Sequence, residues 1–352
     1  MKSIKASASG GTIYNLQALR AIAALLVVFV HLEPLETLLN IPAMGGAGVD
    51  IFFVISGFIM AFTTERSGIG PAGFLGDRLC RVAPTYWVIT LVVFLLALLA
   101  PGLFHSTVAD YRQLIKSILF IPFQKGSGEV HPVLFVGWTL NYEMFFYTIF
   151  ALAMLVWRSR VATIVTIVLV ALTVAGLTLS VNNVFFHFYS NLRVLEFVFG
   201  IWIARSTAQT TTLGVMPLSA LALVSLAAAV ALPVAFPDAS PLLTSGLCSA
   251  VLVWSVIRLE QAGVIMRWGW VLVLGNASYA LYLTHPFVTD ALLKVFTRFP
   301  MKPVAALGIV VSMPVAAFAA VLVSRYVEMP LTRLARRLVR APRLRPAREQ
   351  AA

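Results

Sequence analysis

VAPTYWVITLVVFLLALLA, residues 82–100, runs nineteen positions without one charged side chain. As a helix it is about 28 Å long, close to the hydrocarbon thickness of a bilayer. It follows directly on Arg78-Leu79-Cys80-Arg81, a basic flank of the kind found at the cytoplasmic edge of a span. A helix in a soluble protein would keep a polar face, and a barrel strand would alternate with period two. This stretch does neither, so it reads as a transmembrane helix.

The same pattern recurs in both directions. Apolar runs at about 15–33, 47–63, 82–100, 133–156, 161–181, 184–204, 213–236, 241–257, 271–295 and 304–328 predict ten spans. Gly and Pro mark the joints: Gly45-Gly46, Gly70-Pro71, Pro101-Gly102, Pro233, Pro237 and Pro241. Of the 352 residues, 60% are hydrophobic and 11% charged, against about 25% charged in a soluble domain. The expected fold class is therefore an all-α polytopic membrane protein. Residues 1–332 form the transmembrane domain and 333–352 a basic cytoplasmic tail.

The net charge of +12 would point to nucleic acid in a soluble protein. Here it is distributed as a topology signal. With the N-terminus inside, Lys2, Lys5, Arg66, Arg78, Arg81, Arg158, Arg160, Arg205, Arg258, Arg267 and the tail arginines from Arg333 to Arg348 all lie on the inner side. The outer side holds only Arg112, Lys116, Lys125, Arg298 and Lys302. That asymmetry places both termini in the cytoplasm of a bacterial inner membrane. The basic tail then lies against anionic membrane lipid. The first helix carries Arg20 and lacks a small-residue cleavage site, so it reads as uncleaved. Cys80 and Cys248 belong to no Cys/His cluster, and no metal site is expected. The outer loop 101–132 contains the semi-apolar Ile118–Phe123, either interfacial or re-entrant.

Ionisable groups within spans are costly, about 2.5–3.5 kcal/mol each at mid-helix, and must pair or line a wet cavity. Arg20 and His31 are eleven residues apart in the first helix, which puts them on one face about 16 Å apart. Asp50 opens the second helix at a similar depth to His31. It either takes the His31 N–H and sets its tautomer, or caps its own helix. Arg78 and Arg81 share a face and fit phosphate oxygens, or else serve only as a positive-inside pair. Glu143, in Gly137-Trp138-Thr139-Leu140-Asn141-Tyr142-Glu143, falls near mid-membrane, either catalytic or paired with Arg20 or Arg193. Ser278, Tyr282 and His285 form one helical stripe, with His285 at about the depth of His31. Neither G-x-S-x-G nor HExxH occurs.

These residues together resemble a known family. Asn15-Leu16-Gln17-Ala18-Leu19-Arg20 through His31 is similar to the opening helix of the bacterial acyltransferase family 3, especially its exopolysaccharide-production acetyltransferases. Gly48-Val49-Asp50-Ile51-Phe52-Phe53-Val54-Ile55-Ser56-Gly57-Phe58, Arg78-Leu79-Cys80-Arg81, Pro84-Thr85-Tyr86-Trp87, the Gly137–Glu143 run, Ser278-Tyr279 to His285, and Val327-Glu328-Met329-Pro330 follow in the family's order. The resemblance implies a ten-helix enzyme that O-acylates a glycan with acetyl-coenzyme A from the cytoplasm. It makes Arg20–His31 the family's Arg–His pair and Arg78/Arg81 its R-x-x-R pair. Thr139 replaces the usual serine but keeps the hydroxyl. An appended SGNH hydrolase-like domain, present in some members, is not expected here.

On this reading His31, Asp50 and Glu143 are catalytic, and Arg20, Arg78 and Arg81 bind the acyl-coenzyme A. Trp138, Ser278, Tyr282 and His285 face the saccharide or lipid-linked glycan acceptor. His31 acts as general base or forms an acyl-histidine. Two rivals are a flippase of lipid-linked saccharide and a non-catalytic glycan-binding protein. The first would show internal repeats and matched broken helices; none is seen in the sequence.

Overall fold

The computed structural model describes residues 13–40, 46–103, 107–209, 211–299 and 301–340, and among these every regular element is helical. Lys2, Lys5, Gly45 and the tail beyond Arg340 lie outside the described residues. In chain order the helices are α1 (Tyr14–Val30), α2 (Glu33–Leu39), α3 (Ala47–Ser67), α4 (Pro71–Leu99), α5 (Tyr111–Ile118), α6 (Trp138–Trp157), α7 (Val161–Thr178) and α8 (Val184–Tyr189). They continue with α9 (Val194–Ser206), α10 (Val215–Ala235), α11 (Leu247–Gln261), α12 (Gly269–Asn276), α13 (Ser278–Phe296), α14 (Lys302–Val323) and α15 (Met329–Arg340).

Six helical runs are long and apolar enough to cross a membrane, seven if α1 and α2 count as one bent span. The longest run, Phe135–Thr178, is itself two helices. Its backbone turns at Trp157 (φ −158°, ψ 93°), and α6 packs back on α7. The remaining helices of the expected ten are too short or too polar to qualify on those grounds alone. Two expected spans are each broken in two. Residues 184–204 divide into α8 and α9 around Ser190–Arg193, and residues 271–295 into α12 and α13 at Ala277. The expected 15–33 helix ends at Val30, where α2 turns away by 73° with Pro34 in its first turn. Proline lacks an N–H and is accommodated there. α4 starts at Pro71, so Arg78 and Arg81 lie two turns inside it rather than ahead of it. Ile118–Phe123 is the end of α5 and a reversal at Phe120, whose φ is +57°.

α3 is the central helix: 78% of its apolar window is buried, against 17% for α10, which faces the outside. It crosses α9 at Gly57 and Gly200. A Cβ on Gly57 would overlap the Phe197 carbonyl, and one on Gly200 would overlap the Val54 carbonyl. Two backbones in contact is the small-residue packing that membrane helices use where no hydrophobic force drives them together. A Gly200→Leu variant is expected to lose about 3 kcal/mol or more of stability, since neither backbone can yield. Its thermal unfolding in detergent should begin well below the parent's, and a parent-like curve would show the crossing to be loose.

α1 is held on several sides. Its N-cap, Ile13, has no capping side chain. Instead the Glu260 carboxylate of α11 accepts the N–H groups of Tyr14 (3.1 Å) and Asn15 (2.8 Å). The Asn15 amide donates to the Val264 carbonyl at 2.7 Å and accepts from the Met266 N–H at 2.7 Å. Gly275 of α12 and Gly48 of α3 press on the carbonyls of Gln17 and Ala23. These contacts bracket Arg20 and fix where its guanidinium reaches.

Candidate active site

Arg20 from α1, Arg78 and Arg81 from α4, Glu143 and Tyr147 from α6, and Ser278, Tyr279 and Tyr282 from α13 line one cavity. The α3 wall contributes Phe52, Ile55, Ser56, Ile59 and Met60. Arg20 and Arg81 lie within electrostatic reach of each other, of Glu143 and of Glu328. Like charges are brought together here by helices far apart in sequence, and Glu143 with Glu328 offsets their repulsion. Arg78 Nε is buried without a hydrogen-bond partner. The Ser278 hydroxyl is likewise buried and unpartnered. Orphaned donors on a cavity wall are what an anionic or carbonyl-bearing guest would satisfy.

The wall itself is rigid. Ser56 Oγ and Tyr147 Oη are 3.3 Å apart beside Glu143. Tyr279 donates to the Val82 carbonyl at 2.7 Å, tying α13 to α4. The Tyr282 hydroxyl donates to the Val136 carbonyl at 2.8 Å and accepts from Thr139 at 2.8 Å. The Thr139 hydroxyl is thus used to hold Tyr282.

One turn past Tyr282, His285 meets His31. Their rings are edge to face with centroids 4.6 Å apart, and His285 Nε2 lies 3.3 Å from His31 Nδ1. His31 Nδ1 also lies 2.8 Å from the Val27 carbonyl, and Phe135 packs on the ring at 5.6 Å. His31 sits at the C-cap of α1, partly buried at the kink. A carbonyl can only accept, so Nδ1 carries the proton and Nε2 is left as a bare acceptor.

Asp50 does not orient His31. It pairs with Arg193 (4.0 Å), accepts a short hydrogen bond from Ser245, and lies beside Glu196. The side of α3 that carries it faces α9 and the π-helical turn Leu242–Gly246, so it is drawn to the cation there. Trp138 is in the same region, with the Arg193 guanidinium 5.4 Å from its ring centroid, and is not among the cavity-lining residues.

A family profile described as an acyltransferase domain matches residues 13–325. The chain belongs to this acyltransferase family. It is 34% identical to the exopolysaccharide production protein ExoZ of Rhizobium meliloti, over 79% of this chain and 84% of that protein. It is 26% identical to the acyltransferase MdmB of Streptomyces mycarofaciens, over 77% of each. No solved structure matches.

The acyltransferase domain spans α1 to α14 and thus every residue of the cavity and of the histidine pair. Of the residues expected from sequence, Arg20, Arg78, Arg81, Glu143, Ser278 and Tyr282 share the cavity, while His31 and His285 adjoin it through Tyr282, whose ring lies 6.1 Å from that of His285. Asp50 and Trp138 belong to the separate Arg193 cluster. Tyr147, Tyr279 and Glu328 are not among the expected site residues, although Tyr279 and Glu328 lie in the motifs Ser278-Tyr279 to His285 and Val327–Pro330; Tyr147 carries no sequence signal of its role. Glu328 lies in a π-helical turn, Ser324–Glu328, where Ser324 donates to its carboxylate at 2.9 Å and the Ala280 N–H of α13 faces it. Such turns re-aim side chains and recur at functional sites. The acyltransferase thus presents three guanidiniums on the wall of one cavity and the His31–His285 pair beyond Tyr282.

Proposed function

We propose that this acyltransferase transfers an acetyl group from acetyl-coenzyme A to a saccharide hydroxyl, with the donor on Arg20, Arg78 and Arg81 and the proton passing through His31. The observation carrying this reading is the cavity itself: three guanidiniums from α1 and α4 line it, and the His31–His285 pair adjoins it behind Tyr282, with Arg20 and His31 about 16 Å apart along α1. The relative named for exopolysaccharide production supports a saccharide acceptor.

In this mechanism the guanidiniums neutralise the donor's phosphates and steady its thioester oxygen. His31 Nε2 takes the hydroxyl proton as the oxygen attacks the thioester carbonyl. The tetrahedral adduct collapses, the coenzyme A thiolate leaves, and His31 returns the proton to that sulfur. Glu143 holds the arginines in register. Ser278 donates toward the acceptor or the oxyanion, and Tyr282 shapes the passage between the two ends. Asp50 and Trp138 act instead through Arg193, fixing α3 against α9.

Purified protein incubated with labelled acetyl-coenzyme A and a polysaccharide acceptor should consume the thioester and label the glycan. A flippase would leave the thioester intact. Surface polysaccharide from a strain lacking the gene should lose O-acetyl groups. The proposed topology, in a bacterial inner membrane with both termini cytoplasmic and α15 on anionic lipid, has its own expected result. Reporter fusions at residue 125 and at the C-terminus should report opposite sides, and finding both on one side would refute it.

A further inference from the structure

The histidine pair carries a further assignment, resting on the reading of His31 as the base. His285 is fully buried in α13, so it is shielded from an acceptor sugar. Its Nδ1 lies 3.1 Å from the Leu281 carbonyl. A carbonyl has no proton to give, so His285 Nδ1 is the protonated nitrogen and Nε2 holds a lone pair. That lone pair faces His31 Nδ1–H at 3.3 Å. The His31 N–H is shared between it and the Val27 carbonyl. Phe135 packs against the His31 ring, and Asp290, on α13 with His285, acts on it electrostatically. The position that a carboxylate would occupy in a catalytic triad is filled here by a neutral imidazole.

We infer that His285 is a positioning residue: its bare Nε2 accepts the His31 Nδ1–H, holds that ring with Nε2 toward the acceptor hydroxyl, and stabilises the imidazolium formed when His31 takes the proton. His285 itself neither gains nor loses a proton. The hydroxyl hydrogen moves to His31 Nε2 and then to the departing thiolate, while the Nδ1–H bond stays intact. A carbonyl and an imidazole lone pair together replace the charge of the missing carboxylate, in a setting where an ionised group is costly.

The test compares His285→Phe, which keeps an aromatic ring without an acceptor, with His285→Gln, whose amide oxygen reaches the Nε2 position. His285→Phe should lower kcat by about 10–100-fold while the KM values for acyl-coenzyme A and acceptor stay near the parent's. His285→Gln should recover most of that loss. In a His31→Ala background, His285→Phe should cost nothing further, because it acts only through His31. If Phe does not insert, His285→Met makes the same comparison against Gln. Equal losses in the Phe (or Met) and Gln variants would reduce His285 to packing. A raised acceptor KM at normal kcat would make it a substrate contact, and an additive loss on top of His31→Ala would show that it acts elsewhere. Normal turnover in His31→Ala itself would overturn the base reading, and this one with it.

Discussion

His31→Ala is expected to lower acyl transfer by about 10²–10⁴-fold, the usual contribution of a positioned general base. The fold should survive. His31 is a partly buried C-cap at the bend between α1 and α2; its ring bonds to the Val27 carbonyl within α1 and to His285 of α13, and α1 is held to α11, α12 and α3 by other contacts. Donor binding should also survive, because Arg20 lies three turns away on the same helix. The measurement is single-turnover transfer from labelled acetyl-coenzyme A, alongside donor affinity by filter binding. A variant that binds donor and turns over near the parent's rate would remove His31 as base. One that loses donor affinity instead would move His31 into the donor site.

Replacing both Arg78 and Arg81 by Gln should weaken acetyl-coenzyme A binding by about 10²–10⁴-fold. Each charge-assisted hydrogen bond contributes about 1.5–3 kcal/mol, and two are lost. Arg78 Nε has no acceptor within the protein, so Gln at that position removes no internal bond from that atom. Parent binding should weaken with added salt, while the double variant should show a shallower dependence. Lysine at both positions should recover part of the affinity, since it restores charge without the paired N–H geometry. Normal binding by the double Gln variant would assign the arginines to topology, and inverted insertion would show that role directly.

The membrane architecture was legible because hydropathy is local. Residues 82–100 declare a span without reference to any other part of the chain, and so do 161–181. The places where the expected spans break, at His31, Ser190–Arg193 and Ala277, were not legible. A helix bends or stops there because its neighbours supply the partners, as Glu260 does for the open N-terminus of α1. Neither π-helical turn is marked by composition, and each carries a side chain into a polar cluster: Ser245 onto Asp50, Glu328 toward Arg20 and Arg81.

The site divides along the same line. From residue type and spacing alone, Arg20 and His31 fall on one face of one helix, and Arg78 and Arg81 on one face of another, because helical periodicity relates neighbours within a few turns. The family followed from the order of such short motifs. Pairings across 254 positions, such as His285 with His31, follow from no local rule. Depth alone puts Asp50 and His285 near the level of His31, and only Asp50 is expected to take its N–H. The Gly57–Gly200 crossing sets α3 against α9, so Asp50 turns to Arg193, and α13 alone brings a ring nitrogen to His31. Sequence determined which polar groups the membrane must accommodate. Only helix packing decided which partner each one meets, since the cost of an unpaired polar group in lipid is settled by whichever neighbour the fold brings within reach.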